Sequence, residues 1–270
     1  MKFRQSCSVA LAVALALRVA SSVAAEDIAE LEELIVTARR VLTPGLGAVT
    51  LDTAEIARQR ARTSDTASLL KGIPGVAAYG AGGVSSLPVI RGLADDRLRT
   101  QVDGVDIAAA CPNHMNPPLS YIDPTAVAGV EVYAGVTPVS VGGDSIGGSI
   151  LVRSADPLFA ETGASLAQGS AGSFFRSNGS AWGGNLSGTY ATSDLSLGYT
   201  GSYAQSDNYQ SGDAFKDYTF TGRAGHTLPT DEVGSTAYES SNQAVRLAWR
   251  SSAHLIDLTY SYQDVPREGY

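Results

Sequence analysis

The sequence predicts an α/β domain followed by the first strands of a transmembrane antiparallel β-barrel, with the barrel incomplete in this chain. Three observations carry this expectation. Residues 41–162 break into short apolar runs punctuated by Gly and Pro, with helix-like stretches among them. Aromatic residues number four in 26–162 and fifteen in 163–270. Beyond residue 180 apolar and polar residues alternate in runs matching the ~9–11 residues of a tilted strand crossing a bilayer.

The first 25 residues read as a processing segment. Lys2 and Arg4 form a positive start, Val9–Leu17 an apolar run, and Val23-Ala24-Ala25 a small-residue cleavage site. The alternative is a membrane anchor, but an apolar run broken by Arg18 falls short of the ~20 residues a spanning helix needs. Cleavage after Ala25 would remove Cys7 and leave Cys111 as the sole cysteine of an exported chain. A lone thiol in an oxidising compartment asks for a special reason.

Residues 26–40 (EDIAELEELIVTARR) hold a short β-prone run, Leu34-Ile35-Val36-Thr37, between acidic and basic flanks. It is either an exposed strand awaiting a partner or the first strand of the domain that follows. In 41–162 a short helix is expected over Thr53–Arg60, capped by Asp52 or Thr53. A second is expected over Thr66–Lys71, capped by Ser64 or Asp65 and stopped by Gly72 and Pro74. Strands are expected at Val76–Tyr79, Pro88–Arg91, Arg99–Val102, Val130–Tyr133 and Ser149–Arg153. Asp103-Gly104 is a turn signal, and the Gly pairs 142–143 and 147–148 permit tight turns.

From residue 163 the expected strands are Ser180–Tyr190, Leu195–Gln205, and runs around Val245–Arg250 and Ile256–Tyr262, with a weaker one near Ala164–Ser173. A soluble β-sandwich would show the same alternation. Aromatics near strand ends favour the membrane. So does the alternation of a short turn (192–194), a long polar loop (207–242) and another short turn (251–254). So few strands cannot close around a domain of this size, and an open edge in lipid leaves backbone groups unsatisfied. The chain is therefore expected to be an N-terminal fragment of a larger barrel.

Composition excludes some functions. With 19 Lys+Arg against 27 Asp+Glu the net charge is −8, a poor match for nucleic acid, which needs clustered cations. HExxH and CxxC motifs are missing, and the Gly-rich stretch 141–148 lacks the Lys-Ser/Thr ending of a phosphate loop. Asp95-Asp96 reads as a solvated turn. No enzyme is expected.

One stretch carries chemistry: Cys111-Pro-Asn-His114-Met115-Asn-Pro-Pro118. A thiol, an imidazole and a thioether lie within five residues, a soft donor set suited to copper(I) or, less specifically, zinc. Cys111 and Met115 are the candidate metal ligands, with His114 a third ligand or a supporting group. The plainer readings are a small buried hydrophobe, a gap-filling Met, or a disulfide to a cysteine outside this sequence. Neither His226-Thr-Leu nor His254-Leu-Ile is a His-x-Met, and methionine does not recur after Met115.

The order of segments resembles the TonB-dependent outer-membrane receptors. Glu33-Leu34-Ile35-Val36-Thr37-Ala38 looks like a TonB box. Ser68-Leu69-Leu70 to Gly75-Val76, Ile90-Arg91-Gly92-Leu93, Val102-Asp103-Gly104, Ile122-Asp123-Pro124, Val130-Glu131-Val132 and Gly142–Gly148 look like plug landmarks in order. The resemblance implies a signal peptide at 1–25, the TonB box and linker at 26–40, a plug domain at 41–162 and the N-terminal part of the barrel at 163–270. It further implies an outer-membrane location in contact with lipid, a monomer, and TonB with ExbB–ExbD as partners. The CPNHMNPP stretch resembles the copper-receptor branch of the OprC and NosA type, where a Cys-x-x-x-Met on the plug meets a His/Met motif on the barrel. That implies copper as the transported ligand, with zinc or an iron–siderophore as the alternative. The loop would then sit at the outer apex of the plug.

Overall fold

The structure, a computed structural model, describes residues 48–80, 83–142 and 145–269. The segment proposed as a signal peptide and the Glu33–Ala38 motif lie outside the described residues.

The chain builds two five-stranded sheets and a two-stranded hairpin. The first sheet contains β1 (Ala48–Leu51), β4 (Leu98–Val102), β5 (Val105–Asp106), β6 (Gly129–Ala134) and β7 (Gly148–Arg153), in the order β1-β6-β7-β4-β5. β4 and β7 run parallel, and the other pairs are antiparallel. β2 (Val76–Tyr79) pairs with β3 (Leu87–Ile90) as the separate hairpin. Helix α1 (Thr53–Gln59) starts where Asp52 accepts the N–H of Glu55 at 2.8 Å, satisfying a donor the helix cannot satisfy itself. Its Ile56 packs into a core with Leu69, Leu70, Ile90, Leu119, Val130, Val132, Ile150 and Val152. Each of these is almost fully removed from water, worth roughly 1.5–3 kcal/mol per side chain.

The structure departs from the sequence expectations at the second helix and at two edge strands, and bears out the Asp103-Gly104 turn. Thr66–Gly72 is a 3₁₀-helix, not an α-helix; it begins at the Asp65 cap and closes with an Ile73 N–H to Leu70 C=O bond. A segment this short, hemmed in by Asp65 and Pro74, gains little from completing an α turn. β1 and β5, the edge strands of this sheet, were not expected. The turn between β4 and β5 is the Asp103-Gly104 pair, with φ of +51° and +82°, a two-residue hairpin turn of the kind those residues favour.

The second sheet is β8 (Leu166–Arg176), β9 (Ala181–Ala191), β10 (Leu195–Ser206), β11 (Tyr238–Arg250) and β12 (Leu255–Glu268), all antiparallel neighbours in chain order. β11 begins at Tyr238, so the long connection covers 207–237 rather than running to 242. One face carries a register-matched apolar band: Tyr190, Leu197, Leu247 and Leu258 stand side by side, as do Tyr199, Val245 and Tyr260. All are exposed, Leu258 and Tyr260 at 62% and 72%. An apolar band that size on a sheet face belongs against lipid. The opposite face carries Ser196, Thr200, Ser202, Ala204 and Ser206 and meets the first sheet's domain. The sheet is open, with β8 and β12 at its edges. No described helix is long and apolar enough to cross a membrane.

Candidate functional site

The Cys111–Pro118 stretch follows β5 and leads into a 3₁₀ turn, Pro118–Tyr121. It is built on one β-turn, in which the His114 N–H donates to the Cys111 carbonyl at 2.9 Å. Pro112 sits at the second position of this turn, where its fixed φ suits the chain reversal. His114 closes it with φ +52°, in the left-handed region. The loop base is held by Tyr121, whose hydroxyl accepts the N–H of Ala110 at 3.0 Å and donates to the Asn116 carbonyl at 3.3 Å.

The three predicted site residues take different environments. Cys111 is a free, half-buried thiol. Met115 is 38% exposed. His114 turns inward, its Nε2 standing 4.0 Å from Asp95 Oδ1 and 4.0 Å from Asp96 Oδ1. It lines a small cavity with Leu87, Thr100 and Ile107. Asp96 is solvated at 98% exposure, as expected of a surface turn, while Asp95 is part-buried. Only tertiary packing brings the turn after β3 beneath the loop. No three His, Cys, Asp or Glu side chains converge as a metal site among the described residues. What the loop presents by itself is therefore two sulfur side chains and an imidazole lying 4.0 Å from two carboxylates.

Behind the loop, polar side chains join the first sheet's domain to the second sheet. Gln263 on β12 donates to the Ser120 carbonyl at 2.9 Å and to Asn242 Oδ1 at 2.9 Å. Asn242 on β11 reaches Asp123 Oδ2 at 3.4 Å. Farther along, Ser64 Oγ receives hydrogen bonds from Tyr238 at 2.9 Å and Arg176 at 2.8 Å. Asp123 caps the turn Pro124–Ala126, accepting the N–H of Thr125 at 2.8 Å. Burial pushes its carboxyl above the ordinary range, partly offset by the Thr125 hydrogen bonds. The sequence had flagged Asp123 only as part of a motif. Its partners on β11 and β12 lie more than a hundred residues away, and no local signal could have named them.

Residues 46–149 match the TonB-dependent Receptor Plug Domain family. No curated sequence is significantly similar to the chain. Among solved structures it is similar to the copper transporter OprC, at 29% identity and TM-score 0.61, over 81% of this chain and 30% of that one. It shares its fold with the FrpB iron transporter of Neisseria meningitidis, at 18% identity and TM-score 0.62, over 82% of this chain and 32% of that one. The same holds for the Serratia marcescens hemophore receptor HasR, solved with its hemophore HasA and heme, at 17% identity and TM-score 0.63, over 81% and 31%. The chain thus spans about a third of the length of the receptors it matches. Residues 46–149 therefore belong to the TonB-dependent receptor plug-domain family, and the strands that follow continue a fold similar to that of the solved copper transporter OprC.

Proposed function

We propose that this receptor imports copper, captured at the Cys111–Met115 loop of its plug. The observation that carries the reading is the pairing of a free thiol with an exposed thioether in one proline-bounded, Tyr121-pinned loop. Thiolate and thioether are soft donors that select copper(I) over harder ions. The similarity to a structure named as a copper transporter points the same way. Two sulfurs do not complete a copper site, so further donors come from elsewhere in the receptor. His114 serves as a supporting group or third ligand.

In this reading Glu33-Leu34-Ile35-Val36-Thr37-Ala38 is the TonB box, the β-branched core of which pairs edge-on with a strand of TonB. TonB, driven through ExbB–ExbD, pulls on the box, rearranges the plug and releases the ion inward. Residues 1–25 are the signal peptide, and the receptor works as a monomeric importer rather than an enzyme. A zinc receptor is the second reading, favoured by the two carboxylates facing His114.

The test is metal content. Full-length receptor purified in detergent, with Cys111→Ala and Met115→Ala, is assayed for bound copper and zinc by mass spectrometry. Each variant is expected to lose most of its copper. Wild-type copper in both variants would sink the copper reading. Zinc that survives both changes but disappears with His114→Ala would establish the second one.

A further inference from the structure

Residues 154–165, which join β7 to β8, carry no helix or strand, yet they are fastened to their surroundings at several points. At the start, Asp103 in the turn after β4 accepts the Ser154 N–H at 2.7 Å and its hydroxyl at 2.8 Å. Next, Arg246 on β11 donates to the Ala155 carbonyl. That guanidinium is itself held by Asp257 on β12, its Nε 2.8 Å from Oδ1. Farther along, Arg250 on β11 stacks 4.2 Å over the Phe159 ring and donates to the Ala160 carbonyl at 3.4 Å. The same arginine donates from Nε to the Ser193 carbonyl at 2.6 Å, and the Ala160 N–H donates to the Thr192 carbonyl at 2.9 Å. The connection is thus tied to the β9–β10 turn as well as to β11.

The other end of the plug is held differently. β1 is a four-residue strand at the edge of its sheet and pairs with β6 alone. Helix α1, which follows it, buries only Ile56. Elements with few buried contacts and exposed hydrogen bonds open at the lowest free-energy cost. The 154–160 connection instead has hydrogen bonds from charged donors, which are roughly twice as strong as neutral ones, and a cation–π contact.

We propose that residues 154–160 are a strap that keeps the plug inside the barrel while its N-terminal end is pulled, with Arg246 and Arg250 as the fastenings. The inference rests on the TonB-driven import reading. Tension entering ahead of β1 strips β1 and α1 before it loads the strap. The plug then loosens in place and opens a gap for an ion, and larger solutes stay out. Arg246 and Arg250 act as positioning residues. Because their acceptors on the strap are backbone carbonyls, both can be replaced without altering the sequence of the strap itself.

The test uses a solute far larger than the cargo. Cells making full-length receptor, wild type or carrying Arg246→Gln with Arg250→Gln, are compared with and without TonB for killing by vancomycin, which an intact outer membrane excludes. Copper accumulation is measured in the same cells. The double variant is expected to raise vancomycin sensitivity severalfold, and only where TonB is present. Wild-type resistance in the double variant overturns the strap. Equal sensitivity with and without TonB overturns it too, and makes the arginines ordinary supports of plug seating. Should the double variant fail to reach the outer membrane, Arg250→Gln alone, which leaves the Arg246–Asp257 pair in place, decides by the same criteria. A wild-type receptor that accumulates no copper through TonB defeats the import reading itself, an outcome distinct from failure of the strap.

Discussion

The Tyr121 hydroxyl accepts the backbone N–H of Ala110 across eleven residues at 3.0 Å, and so sets the mouth of the Cys111–Pro118 loop. Removing that hydroxyl leaves the ring but loosens both ends of the loop, since its bond to the Asn116 carbonyl is lost too. Tyr121→Phe is expected to cost about 1 kcal/mol of local stability, because the ring is part-exposed and water replaces some of the lost bonding. Hydrogen exchange should quicken at Ala110, and copper retention should weaken while both sulfurs remain.

Gly148 opens β7 at φ +134°, a conformation only glycine adopts freely. A Cβ there would stand 2.1 Å from the Tyr133 carbonyl oxygen, in the pair of central strands β6 and β7. Gly148→Ala combines strain with a backbone clash and is expected to destabilise the plug by at least ~3 kcal/mol. Limited proteolysis of the receptor should find new cleavage in the plug with the barrel strands intact.

Asp103 joins the β4–β5 turn to the strand exit at Ser154, accepting its N–H at 2.7 Å and its hydroxyl at 2.8 Å. Its φ of +51° suits Asp or Asn far better than Ala. Asp103→Ala is expected to lose about 2 kcal/mol of plug stability, with Asp103→Asn retaining part of it. Denaturant midpoints reported by plug amide exchange would rank the two variants.

The raised pKa of Asp123 has a pH consequence. The folded plug holds a proton on this carboxyl that the unfolded chain, with an ordinary value of 3.8, has already released. Stability from this group is therefore greatest below 3.8 and falls as pH rises from there through the elevated folded value. Plug stability in metal-free receptor should increase on acidification across that window, before general acid effects set in. Asp123→Asn should flatten the slope. An unchanged slope in the variant would assign the effect to another group.

Much of the architecture was legible in the chain. Alternation such as Leu195-Leu197-Tyr199 against Ser196-Gly198-Thr200 states a strand and its two faces without reference to any partner, because side chains alternate with period two wherever the strand lies. Asp52, Asp65 and Asp103-Gly104 announce caps and turns through bonds made within a few residues. The soft-donor stretch with Cys111, His114 and Met115, on which the proposed copper site rests, lies within five residues and is readable for the same reason. What the tertiary structure alone decided is the meeting of distant groups: the parallel pairing of β4 with β7, the turning of His114 toward Asp95 and Asp96, and the approach of Asn242 and Gln263 to Asp123 and Ser120. Those relations depend on how whole sheets pack, where burial of a shared core outweighs any local preference, and composition and spacing do not encode them one residue at a time.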